Sequence, residues 1–144
     1  MVLKAREELQ CSQLDLASAA GVSHLTVIKL EANDLVSKAT LEEVQRILHS
    51  LSMKLVIDGH WLYTHLSLAE YLKQGALKAG SMANYMQTHK NKCAFIRIVH
   101  YGVRPRINIL LDMLDSLDIH WDVVPILEQD KQLKTAKDYQ EVAG

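Results

Sequence analysis

Apolar residues recur at helical spacing through most of the chain, broken by short polar runs and single glycines. The opening segment, Lys4 to Leu9, is made of helix-favouring residues, with Leu3 and Leu9 as its expected apolar anchors. Ser12 is placed to cap a second helix, and Asp15 three residues later completes a capping-box start. Leu14, Leu16, Ala17 and Ala20 supply that helix with a small apolar face. Gly21 ends it, because a tight turn between helices commonly requires a positive φ. Ser23 caps a third helix over 24–31, whose buried side is Val27 and Leu30. After a loop over 32–39, Thr40 caps a fourth helix carrying Leu41, Val44, Ile47, Leu48 and Leu51. Residues 50–57 then cluster apolar side chains like a short strand.

The second half repeats this plan more faintly. Shifted by 66 positions, Leu41, Val44, Ile47, Leu48 and Leu51 fall on Ile107, Leu110, Met113, Leu114 and Leu117. Upstream, the same shift sets Leu16 and Ala17 on Met82 and Ala83, Val27 on Cys93 and Leu30 on Ile96. Gly80 and Ser81 offer a break and a cap. Other matches fail: Gly21 meets Gln87, Gln13 meets Ala79, and Arg6 and Glu31 meet Leu72 and Arg97. Residues 67–78 and 107–117 read as helices, and 116–124 as a second strand-like tail. The run Cys93 to Val99 is rich in β-formers, so a strand there, within an α+β dimerisation or effector domain, competes with the helical repeat.

Charge sharpens the picture. The formal net charge is −1, and residues 1–58 carry six basic and eight acidic side chains, which counts against a nucleic-acid partner. Between Tyr71 and Leu111, however, stand Lys73, Lys78, Lys90, Lys92, Arg97, Arg104 and Arg106, with no Asp or Glu. A phosphate-facing surface needs such a stretch, because each unpaired carboxylate would repel the nucleic acid. A basic face that merely solubilises the protein is the plainer alternative.

Taken together, Ser12-Gln-Leu-Asp-Leu-Ala17, Gly21-Val-Ser23, Thr26-Val27, Leu30-Glu31 and the later Leu-x-x-Val-x-x-Ile-Leu-x-x-Leu pattern resemble the XRE family, the lambda-repressor (Cro/CI-type) helix-turn-helix proteins. The resemblance implies a mostly α fold: a lambda-repressor-like domain over 1–58, a degenerate second copy over 67–125, and a polar C-terminal tail over 126–144. The strand after the last helix of each copy is similar to the HipB-like antitoxin branch, where such a strand pairs across a dimer; pairing the two tails within one chain would give a pseudo-dimer. It also implies roles. Gln13 would hold a phosphate and brace the recognition helix, with Ser23 capping that helix. His24, Leu25 and Lys29 would reach base edges, and Asn33 would meet the backbone from a loop. Arg6 and Glu31 would form an ion pair between helices one and three. In the second copy, Lys90, Asn91 and Lys92 would begin the recognition helix, with Arg97, Arg104 and Arg106 completing the basic surface. Leu25 and Ile28 depart from the family's commoner polar residues, leaving open either thymine-methyl contact or a protein-binding surface.

The expected partner is double-stranded DNA, bound by a transcriptional regulator acting as a homodimer or an internal pseudo-dimer. The alternative is an antitoxin that holds a protein toxin and represses its own operon. Single-stranded nucleic acid is disfavoured by one Phe and scattered Tyr, too few for a stacking platform. No catalytic arrangement, metal site or cofactor motif is expected: the histidines lack ligand spacing, and no phosphate-binding glycine loop occurs. Cys11 and Cys93 read as reduced, small core residues, and Trp61 and Trp121 as core or interface anchors. The charged opening is unlike a signal peptide and the apolar runs are short, so a cytoplasmic (nucleoid-associated), non-membrane protein is expected.

Overall fold

The structure, a computed structural model, describes residues 2–33, 35, 37–78, 80 and 92–127. Within these the chain is mostly helical with one two-stranded sheet. The first half runs α1 (Val2–Glu8), α2 (Gln13–Ala20), α3 (His24–Asn33), α4 (Leu41–Ser50) and β1 (Met53–Ile57). The second runs α5 (His65–Lys78), α6 (Lys92–Tyr101), α7 (Ile107–Ser116) and β2 (Trp121–Pro125). No described helix is long and apolar enough to cross a membrane.

Local chemistry accounts for the helix starts. Ser12 and Thr40 both form complete capping boxes, with Asp15 and Glu43 returning a carboxylate to the cap's own N–H. α4 buries Leu41, Val44, Ile47 and Leu48, and Leu51 just beyond it is also buried. The early apolar anchors fall elsewhere than the spacing suggests. Val2 and Ala5 face inward on α1, whereas Leu3 and Leu9 are exposed, as is Leu14 on α2. These helices are only 7 and 8 residues long, too short for periodicity to choose the inward face.

The run from Cys93 to Val99 lies inside α6 and is not a strand. Phe95 and Ile98 are its buried residues, while Cys93 is exposed and not a core residue. This corrects the alignment of the two halves. α6 matches α3 at an offset of 68, so that Phe95 and Ile98 stand where Val27 and Leu30 do. α7 matches α4 at 66, with Ile107, Leu110, Leu111, Met113 and Leu114 buried where Leu41, Val44, Gln45, Ile47 and Leu48 are. The connection before α7 is two residues shorter than the one before α4. Arg97 therefore corresponds to Lys29, not to Glu31.

The halves meet along two backbone seams. β1 and β2 pair antiparallel from Met53↔Pro125 to Ile57↔Trp121, with Val56 opposite Asp122 at a separation of 66. Thr40 and Arg106, also 66 apart, form an isolated antiparallel bridge. There the Leu41 N–H donates to Pro105 O at 3.2 Å, and the Ile107 N–H donates to Ala39 O at 2.6 Å. One continuous apolar core runs through both halves, from Val2 and Leu16 to Phe95 and Leu114.

Candidate nucleic-acid interface

The corner between α2 and α3 follows from three residues. Gly21 has φ 68°, and a Cβ there would meet nothing within 4 Å, so backbone conformation alone favours glycine. Its N–H and that of Val22 close back on α2 carbonyls. Ser23 Oγ then accepts the Thr26 N–H at 3.1 Å and lies 2.7 Å from Thr26 Oγ1, starting α3.

A part-buried polar brace fixes α3 against α1 and α2. Arg6 Nε donates to Glu31 Oε2 at 2.6 Å and Nη2 to Oε1 at 3.0 Å, while Nη1 donates to Cys11 O at 2.9 Å. Gln13 Nε2 donates to the same Glu31 Oε1 at 3.0 Å. Burial alone would push the Glu31 carboxyl upward, but the bonds from Arg6 and Gln13 outweigh it and hold it below the ordinary carboxylate value. The Arg6 guanidinium is correspondingly raised by its hydrogen bond to Glu31. Bidentate geometry of this kind sets orientation as well as energy.

With Val27 and Leu30 inward, α3 turns Ser23, His24, Leu25, Ile28 and Lys29 to solvent, Leu25 at 55% exposure. Asn33 is the last residue of α3 and not part of a loop; its Nδ2 donates to Lys29 O at 3.2 Å. Beside Lys29 lies a groove walled by Ser37, Lys38, Ala39 and Arg106. A second groove lies along α6, between Arg97 and Ile98 on one side and Val103 to Arg106 on the other. The two share Arg106, which also forms the isolated bridge with Thr40.

Lys29, Lys38, Arg97, Arg104 and Arg106 are all exposed around these grooves. The nearby acids are engaged. Glu43 Oε1 accepts from the N–H and hydroxyl of Thr40 at 3.0 and 3.1 Å. Glu42 Oε1 accepts the His65 N–H at 2.8 Å, and its Oε2 stands 3.5 Å from His65 Nδ1 and 3.4 Å from Arg104 Nε. Arg106 Nη1 donates to Lys38 O at 2.9 Å, tying the second half to the loop before α4. Glu43 keeps its charge on the wall of the first groove and Glu42 offsets Arg104, but five cations against two carboxylates leave an excess of positive charge about the grooves.

The structure thus gathers Ser23, Leu25, Lys29, Arg97, Arg104 and Arg106 about one seam, with His24 and Asn33 at the two ends of α3. Gln13 points into the brace. Lys90 and Asn91 lie outside the described residues, and so does the side chain of Lys92, the first residue of α6. Lys38 was not among the expected site residues. The repeat could have found it, since Lys38 and Arg104 occupy matching positions two residues before the Thr40 and Arg106 caps. No family model matches the chain, and no curated protein or solved structure matches it either.

Proposed function

We propose that the chain is a tandem helix-turn-helix protein of lambda-repressor type that binds double-stranded DNA and regulates transcription. The observation that carries this reading is the α2–Gly21–α3 corner. A part-buried Arg6–Glu31–Gln13 brace ties the third helix to α1 and α2, while Ser23 at its start and His24, Leu25 and Lys29 on it are left exposed. Rigid placement of an exposed helix is what reading base edges in a major groove requires. The matching burial of α3 with α6 and of α4 with α7 supports a duplicated unit, as do Val56 opposite Asp122 in the sheet and Thr40 opposite Arg106 in the bridge, each pair 66 apart. In this reading Lys38, Arg104 and Arg106 hold phosphates, and Lys29 reads a base.

The test is fluorescence anisotropy of a labelled random-sequence duplex, titrated at several salt concentrations beside a single-stranded control. Duplex-preferring binding that weakens steeply with salt is expected. Lys29→Ala should weaken a selected site by roughly 1–3 kcal/mol. Equal binding of single strands, or none at low salt, overturns the reading.

The exposure of Leu25 and Ile28 on α3 favours a second reading, an antitoxin that holds a protein toxin on this helix. A stable stoichiometric complex recovered from the native host, and lost on Leu25→Glu with Ile28→Glu, would favour it.

A further inference from the structure

Building on the duplex-DNA reading, we infer that a single chain occupies both half-sites of an asymmetric operator, with Arg97 on α6 doing in the second half-site what Lys29 does in the first. Three observations lead there. At the offset of 68, α3 and α6 have equal length, and the two buried positions of each coincide: Val27 with Phe95, and Leu30 with Ile98. This puts Lys29 and Arg97 at the same place on their helices, both exposed and each lining the groove beside its own helix.

The two grooves share Arg106, the residue that bridges to Thr40 between the halves, so Lys29 and Arg97 line grooves that meet at the seam. That seam and the β1–β2 pairing are made within the chain. The faces by which a symmetric dimer would join are therefore already filled by the second half.

The chemistry then sets the form of the site. Lysine and arginine both favour guanine, through its O6 and N7 acceptors, so the half-sites should share a guanine at the same step. Around it the helices differ. Leu25 corresponds to Cys93, Thr26 to Ala94, and Asn33 to Tyr101. Exposed Leu25 suits a thymine methyl, which the shorter Cys93 does not reach in the same way. A strict palindrome would satisfy only one helix.

Site selection from random duplex DNA, with the full chain, tests this alongside Lys29→Ala and Arg97→Ala. Sedimentation of the selected complex gives the stoichiometry. The expected outcome is a two-part site bound by one chain, in which each variant erases the guanine preference of a different half and weakens binding roughly 10- to 100-fold. Replacing His24, Leu25 and Lys29 by the Lys, Cys and Arg of α6 should shift the selected site towards a palindrome. A palindromic wild-type site carrying two chains, or an Arg97→Ala variant whose site is unchanged, overturns the inference while leaving DNA binding intact. Failure to select any site defeats the regulator reading itself, a separate result.

Discussion

The first half of the molecule is held together by polar devices and the second by apolar ones at corresponding places. Glu31 of α3 falls on Val99 of α6 at the offset of 68, and at the offset of 66, where buried Val2 of α1 falls on buried Leu68 of α5, Arg6 falls on buried Leu72. Gln45, the one fully buried polar residue described, donates to Leu55 O at 2.9 Å and Leu62 O at 3.2 Å and accepts the Leu55 N–H at 3.1 Å. Its counterpart on α7 is Leu111. Thr40 caps α4 through its side chain, whereas Arg106 makes no side-chain cap for α7. The difference teaches that burial pattern, not residue identity, is what the two halves share. Polar networks add orientation to the half whose third helix has the better-formed motif, and a packed apolar surface suffices for the other.

The largest test of that comparison is Phe95→Ala. It empties the fully buried position matching Val27 and should cost about 3–5 kcal/mol. Because one core joins the halves, urea unfolding followed by tryptophan fluorescence and by far-UV circular dichroism should give coincident curves. A biphasic curve would make the halves independent.

Next comes Arg6→Leu, which strands the Glu31 carboxylate and should cost about 3 kcal/mol in the same assay. Pairing it with Glu31→Val, to copy the second half, should recover much of that loss; if the double variant is as weak as the single, the halves are not interchangeable in this way. Gln45→Leu imports the residue of α7 but deprives Leu55 and Leu62 of their buried partner, for roughly 1–3 kcal/mol. A neutral outcome would reduce Gln45 to a space-filler.

The smallest effect is in acid. The folded Glu31 carboxyl lies below its ordinary value, so its stabilising contribution is present above the unfolded value. It is lost as pH falls through the folded one. The stability gap between wild type and Glu31→Gln should therefore close on acidification from neutrality, as read by denaturant midpoints at successive pH values. A gap that widens instead would reverse the assignment.

Much of the first half was legible because its punctuation is chemical. Ser12, Gly21, Ser23 and Thr40 each mark an element boundary through a hydrogen bond or a positive φ that few other residues supply. The Arg6–Glu31 contact was legible only through family resemblance, since nothing local links residues 25 apart. In the second half α7 was readable from its spacing, but α6 misled in two ways. Its β-branched run masked a helix, and its two-residue offset hid the match of Arg97 to Lys29. A compensating length change between elements is invisible to a fixed shift, and only the buried faces reveal it. Lys38 escaped because a lone lysine in a loop carries no local pattern, and only its match to Arg104 under the shift of 66 marks it.

The register of β1 with β2 has a consequence for how the chain reaches its final form. The strands meet across 68 residues at the centre of the pairing, a long-range closure expected to follow the formation of the local helices. Every contact they make can also be made between two chains, with Asp58 to Thr64 acting as the hinge. Refolding at high concentration should accordingly trap a domain-swapped dimer that gel filtration separates from the monomer and dilution slowly reconverts. Under the proposed DNA-binding function, such a species would carry two copies each of α3 and α6 in reciprocal pairs and could bridge two segments of DNA.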